Sequence, residues 1–172
     1  MMNDKIAEAM NKQINAEFYS SYLYLSMASH FESKNLKGMA RWMTLQAQEE
    51  LMHSLKFINY VNESGGRVVL ERIDAPEHEW DSPLVIFEET YRHECEVTAL
   101  INDLVEVVQS EKNHAAYNFL QWFVNEQVEE EGTALGIVEN LRLVGENGVA
   151  LFMIDKELAQ RVPSPVNDPN AK

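Results

Sequence analysis

The sequence runs to 172 residues, 45% hydrophobic and 24% charged with 7 Gly and 5 Pro. That is enough chain for one domain with a substantial core, and too few turn-formers for a β fold. A formal net charge of -14 excludes sequence-independent nucleic-acid binding, which needs a basic surface, and fits a protein that handles cations. The single Cys95 rules out an intramolecular disulfide, the opening Met1-Met2-Asn3-Asp4-Lys5 has no apolar signal region, and no apolar run approaches the ~20 residues of a membrane helix, so a soluble cytoplasmic protein is expected.

Residues 4 to 33 read as a first helix, because Ile6, Met10 and Ile14 lead into an apolar stripe on which Ile14, Phe18, Leu25 and Ala28 flank Glu17, with Tyr24 two turns further on. Its middle is greasy all round. Phe18, Tyr19, Tyr22, Leu23, Tyr24, Leu25 and Met27 cannot all face one core, so another subunit is expected to cover a second face. Ser33-Lys34-Asn35 permits a tight turn into a second helix, about 37 to 64, that ends at Gly65-Gly66. Here Glu50 and His53 lie three apart on one face, and Met43 and Phe57, seven residues to either side of Glu50, put that carboxylate on the apolar stripe.

Residues 66 to 82 have no helical period and carry Pro76 and Asp81-Ser82-Pro83, which reads as a surface crossover. A 28-residue helix is about 42 Å long and 17 extended residues reach ~56 Å, so the crossover can return to the other end of the bundle and leave helices two and three parallel. Ser82 and Pro83 start a third helix, about 83 to 110, with the stripe Leu84, Phe87, Tyr91, Glu94, Thr98, Ile101, Val105, Val108. A fourth, about 114 to 144, carries Ala116, Leu120, Phe123, Gln127, Glu130, Ala134, Ile137, Leu141. Gly145 and Gly148 break it, 149 to 160 forms a short fifth helix with an all-round apolar start, and a Pro-rich flexible tail, 161 to 172, follows a single domain of residues 1 to 160.

Glu17, Glu50 with His53, Glu94, and Gln127 with Glu130 all fall near mid-helix, and mid-helix residues share one level whatever the helix directions. Four buried carboxylates repel each other and are costly to desolvate, so they must hold protons or cations. Oxygen ligands with one imidazole and no thiolate suit iron or manganese rather than structural zinc. His93 and Cys95 flank Glu94 at 100° to either side; His93 reads as a surface or interface residue, Cys95 as a partly buried thiol, and Trp122 as packing.

The residues resemble the ferritin family over roughly 4 to 160, through Asn15-Ala16-Glu17, Gln46-Ala47-Gln48-Glu49-Glu50-Leu51-Met52-His53, Tyr91-Arg92-His93-Glu94 and the run from Phe119 to Glu131. The likeness is to prokaryotic non-haem ferritins, and it implies an all-α ferritin-like four-helix bundle with a long crossover and a short fifth helix. Bacterioferritins carry Glu-x-x-His where this chain has Gln127-x-x-Glu130, and place a haem-ligating Met where Leu51 stands, so no haem is expected. The resemblance implies two iron ions at a ferroxidase centre: Glu17, Glu50 and His53 on the first, Glu50, Glu94 and Glu130 on the second. Gln127 would position the oxidant and Tyr24 would donate an electron or hydrogen bond. Glu49, Glu126 and Glu129, with Glu130, match a third iron position.

The implied activity is oxidation of Fe(II) by dioxygen or peroxide, with storage of the mineral in a hollow homo-oligomeric shell of 24 chains. The alternative within the same superfamily is a di-iron oxidase or peroxidase that stores nothing.

Overall fold

The computed structural model describes residues 2–163. Five helices follow in order, α1 (Asp4–Ser33), α2 (Lys37–Glu63), α3 (Pro83–Ser110), α4 (His114–Val144) and α5 (Gly148–Leu158), and no strand occurs among the described residues. Side chains start most of them: Asn3 accepts from the Ile6 amide, Ser82 from Val85 ahead of a helix opened by Pro83, Asn113 from Ala116, and Asn147 from Val149 and Ala150. The tight turns are closed by Asn35 and Lys112, both at positive φ, and α2 ends at Gly65 with φ 74°.

Helix α2 is different. Its N-cap is Leu36, which offers no side-chain acceptor, and the vacancy is filled from the far end of the chain: Asp155 of α5 accepts from the Met39 amide at 2.9 Å. A carboxylate in that position typically contributes about 0.5–2 kcal/mol. The approach is close enough that a Cβ on Gly38 would lie 1.6 Å from the Asp155 carbonyl oxygen. Arg161, the first residue of the expected tail, docks just beyond, its guanidinium stacked 4.4 Å over Trp42 and paired with Glu49. Ser164 to Lys172, the rest of that tail, lie outside the described residues.

Helix directions follow from their cross-links. The Met2 amide donates to Ser64 at 2.9 Å, which brings the start of α1 beside the end of α2 and makes the two antiparallel. The crossover then runs the whole length of α1: Asn11 brackets it through Arg67 and Val69, Asn15 reaches Arg72, Ser26 reaches Glu77, and the Trp80 ring meets His30 edge-on. This delivers the chain to the opposite end, where Phe87 packs on Phe31. Helix α3 is therefore parallel to α2, and Arg142 on Glu88 with Glu131 on Thr98 returns α4 antiparallel to α3.

Two apolar clusters fill the bundle. One, around Tyr24, Phe31, Met39 and Phe87, includes Ile154 and Leu158 of α5; the other, around Ile6, Met10, Phe57 and Phe123, lies toward the opposite end. All eight residues of the expected α4 stripe are buried. On α3 the buried arc is turned toward α1: Ile86, Thr90, Val97 and Leu104 are buried, whereas Leu84, Tyr91, Thr98 and Val105 are half-buried. Thr90 faces Met27 of α1, while Thr98 borders an open groove against α4.

The expected α1 stripe was also turned slightly. Phe18 is half-buried and Leu25 is 48% exposed, because they lie about 100° and 80° round from Glu17, while Ile14, Ser21, Tyr24, Ala28 and Phe31 stay within about 60° of it. Tyr22 and Leu25 thus form an apolar outer face on this single chain, as do Val149, Phe152 and Met153 at the start of α5. Among the described residues no helix is long and apolar enough to cross a membrane.

Candidate metal centre

Between the apolar clusters lies a polar layer. Glu17, Glu50, His53, Glu94, Gln127 and Glu130, contributed by four helices, are each no more than 8% exposed. Ligand atoms of Glu17, Glu50 and His53 all fall within 4.8 Å of one another. His53 Nδ1 is 3.2 Å from Glu50 Oε2 and 3.8 Å from Glu17 Oε2, the second too long for a hydrogen bond. Gln13 donates to Glu17 Oε1 at 2.7 Å, and Trp122 and Phe123 press edge-on against the imidazole and fix its plane.

The other half is joined to this one by Gln46, whose amide donates to Glu50 Oε1 at 2.9 Å and to Glu130 Oε2 at 2.8 Å. Both oxygens of Glu94 are held: the Tyr24 hydroxyl donates to Oε1, and Gln127 Nε2 donates to Oε2 at 3.2 Å. The bonds of the layer thus form two groups, one from His53 and Glu50 through Gln46 to Glu130, linking α2 to α4, and one from Tyr24 through Glu94 to Gln127, linking α1, α3 and α4.

Its electrostatics are those of a cation site. Burial raises the Glu17 carboxyl, raises Glu94 well above the usual range with added repulsion from Glu50 and Glu130, and pushes Glu130 up to about 8. His53 and Glu50 move the other way as an ion pair: burial opposes the charge on each, but their mutual attraction and hydrogen bond leave the imidazole raised and the Glu50 carboxyl lowered. Among the described residues, two buried acceptors, Glu17 Oε2 and Gln46 Oε1, have no hydrogen-bond donor. An orphaned buried carboxylate oxygen is costly. A divalent cation among Glu17, Glu50 and His53 would satisfy it, so the donor set fits a hard or borderline metal such as iron.

Every residue expected at the iron pair lies in this layer, as does Tyr24. The expected third position is arranged differently. Glu49 pairs with Arg161, Glu126 is half-buried with its carboxyl raised by burial, and Glu129 is exposed. Glu126 feels the charges of Glu129 and Glu49, yet these groups do not join Glu17, Glu50 and His53 as a close ligand set among the described residues. His93, expected at the surface or an interface, turns inward: its Nε2 lies 2.8 Å from Ser20 Oγ and its ring sits between Tyr19 and Tyr24. Position 93 is 100° from Glu94, but on a helix packed so closely against α1 that angle is still inside the interface. Gln13 and Gln46 are the residues of the layer to which the sequence reading gave no role, although each stands four residues before a buried Glu, on the same helical face.

This bundle and its carboxylate layer define the ferritin class, and comparison with known proteins agrees. The family described as Ferritin-like domain matches residues 7–144, and the chain belongs to it. A bacterial non-heme ferritin of Bacteroides fragilis is 42% identical over 161 residues, which span 94% of this chain and all of that one. A probable bacterial non-heme ferritin-like protein of Haemophilus influenzae is 42% identical over 158 residues, 92% of this chain and 96% of its own. Among solved structures, an open-pore ferritin from the archaeon Archaeoglobus fulgidus superimposes with a TM-score of 0.93 at 57% identity, covering 94% of this chain and 100% of that one.

Proposed function

We propose that this chain is an iron-storage ferritin that oxidises Fe(II) at the buried carboxylate layer and holds the ferric product inside a hollow homo-oligomeric shell. The observation that carries the reading is the preformed set of Glu17, Glu50 and His53, joined by Gln46 to the raised carboxyl of Glu130, whose charge in turn raises that of Glu94. Two Fe(II) ions are the substrate, the first taken by Glu17, Glu50 and His53, the second by Glu50, Glu94 and Glu130, with Glu50 shared. Their four positive charges match four carboxylates.

The protein's part is to hold two cations close enough for one oxidant to reach both. Each iron gives up one electron; dioxygen takes the pair with two protons and leaves as hydrogen peroxide, while peroxide taken as oxidant leaves as two waters. Protons leave Glu94 and Glu130 when the metal enters, next to where the reduced oxidant needs them. Tyr24 holds Glu94 in place and lies within reach as a donor. Gln127 positions the oxidant side of the second iron. Glu49, Glu126 and Glu129 can take a third iron once Arg161 releases Glu49.

The apolar outer faces at Tyr22 with Leu25 and at Val149 with Phe152 support assembly. For chains of 19.8 kDa, a shell of 24 has a mass of about half a megadalton. Measuring assembly mass and iron retained per shell, alongside anaerobic Fe(II) titration followed by an air pulse, tests the whole reading. Iron oxidised by a dimer that retains none would favour the non-storage oxidase, and no transient diferric absorbance would remove catalysis.

A further inference from the structure

We propose that Thr98 and Glu131 are positioning residues for the second metal position, setting the orientation of the Gln127 amide and, through it, the carboxylate of Glu94. The inference rests on the two-metal reading above and adds residues to it. The Gln127 nitrogen lies 3.2 Å from the backbone carbonyl oxygen of Glu94, and a carbonyl can only accept. That contact turns the NH2 group toward α3. The same nitrogen is 3.2 Å from Glu94 Oε2 and 3.4 Å from Thr98 Oγ1, so three acceptors gather around its two protons.

Thr98 could turn its own proton toward the amide and spoil the arrangement. It does not, because that proton is committed elsewhere: Thr98 Oγ1 donates to Glu131 Oε1 at 2.5 Å, a short charge-assisted bond. A lone pair of Thr98 is left facing Gln127. Proton direction therefore runs one way, from Gln127 to Thr98 and from Thr98 to Glu131. Flipping the amide would set its oxygen against three acceptors at once.

Thr98 lies one turn beyond Glu94 on α3 and Glu131 one turn beyond Gln127 on α4, so the same two helices carry both the ligand and its support. The outer end opens on a groove of about 390 Å³ between α3 and α4, lined in part by Tyr91, Thr98, Val124, Gln127 and Glu131. Thr98 and Glu131 are only half-buried, so the fold tolerates changes there that the metal position would feel. Residues that orient a metal ligand from behind commonly change metal affinity 10- to 100-fold.

The test uses the assembled, iron-free protein and anaerobic Co(II), whose visible bands report coordination without turnover. A His53→Ala variant marks the bands that belong to the first position. Thr98→Val is expected to weaken the second position about tenfold and alter its bands, with the first position unchanged. Thr98→Ser, which keeps the hydroxyl, should restore both, and Glu131→Ala should fall between the two. The proposal is overturned if Thr98→Val binds like the parent, if both positions weaken equally, or if Ser fails to rescue. A parent that takes up fewer than two Co(II) overturns the two-metal reading itself, and this inference with it.

Discussion

The half of the polar layer made by Glu17, Glu50 and His53 carries its own cation, since the imidazole is paired with Glu50. The half made by Glu94 and Glu130 has no cation, and stays tolerable by keeping protons and by accepting bonds from Tyr24, Gln127 and Gln46. One half is an ion pair and the other is a pair of acids. Under the proposed two-iron reading, a metal entering the first displaces a proton from nitrogen, whereas a metal entering the second must displace protons from carboxyls. The two positions should therefore answer differently to pH and to mutation.

The largest effect is expected where the halves meet. Glu50→Ala removes the shared carboxylate and should slow the first turnover of Fe(II) oxidation roughly 100-fold or more in stopped-flow mixing. A rate equal to the parent's would show that the layer is not the site. Next, Glu130→Gln should abolish uptake at the second position alone, read by anaerobic Co(II) titration, because the amide can still accept from Gln46 but cannot give up a charge.

The pH response comes third. Glu130 has a model-compound value of 4.5 and a folded value of about 8, so folding favours its protonated form; that stability is complete below 4.5 and is lost as pH rises through 8. Glu94 and Glu17, also raised, share this sign, as does His53, while Glu50, lowered, works in the opposite direction and only below the usual carboxylate range. Melts of chelator-treated protein should lose several degrees between pH 5 and pH 8.5, while Co(II) affinity at the second position climbs over the same interval. Glu130→Gln should reduce the stability trend and leave the part due to Glu94, Glu17 and His53. A melting temperature that does not move would contradict the account of the second half as acids.

A smaller change is expected from Tyr24→Phe, which frees Glu94 Oε1 and should weaken the second position a fewfold without touching the first. As a lesion outside the layer, Gly38→Ala drives a Cβ into the Asp155 carbonyl and should cost about 1–3 kcal/mol in denaturant melts while uptake at both positions is preserved.

Helix bounds and the convergence of the buried carboxylates at one level were legible in the sequence because they rest on period and on punctuation. On α4 the alternation of three- and four-residue steps coincides with the buried face that carries Gln127 and Glu130, whereas the same alternation on α3 does not. On α1 and α3 the helix is gripped from more than one side, so a single stripe could not place the buried arc to better than one residue, and Leu25 and Val97 fell on the wrong sides of it. The inward turn of His93 depends on how closely α1 and α3 approach, a tertiary distance that no local pattern encodes. Arg161 was invisible for a related reason: its partners Trp42 and Glu49 are more than a hundred residues away. Gln13 and Gln46 could have been found, since buried glutamines one turn before buried glutamates already announce a shared hydrogen bond.

The cap that Asp155 places on α2 has a consequence for synthesis. During translation the amides at the start of α2 emerge long before the residue that receives one of them, so the second helix leaves the ribosome with a frayed first turn. Only when α5 is released can that turn close, and a nascent chain stopped short of residue 155 would lack both this cap and the Leu158 side of the apolar cluster that holds Met39 and Trp42.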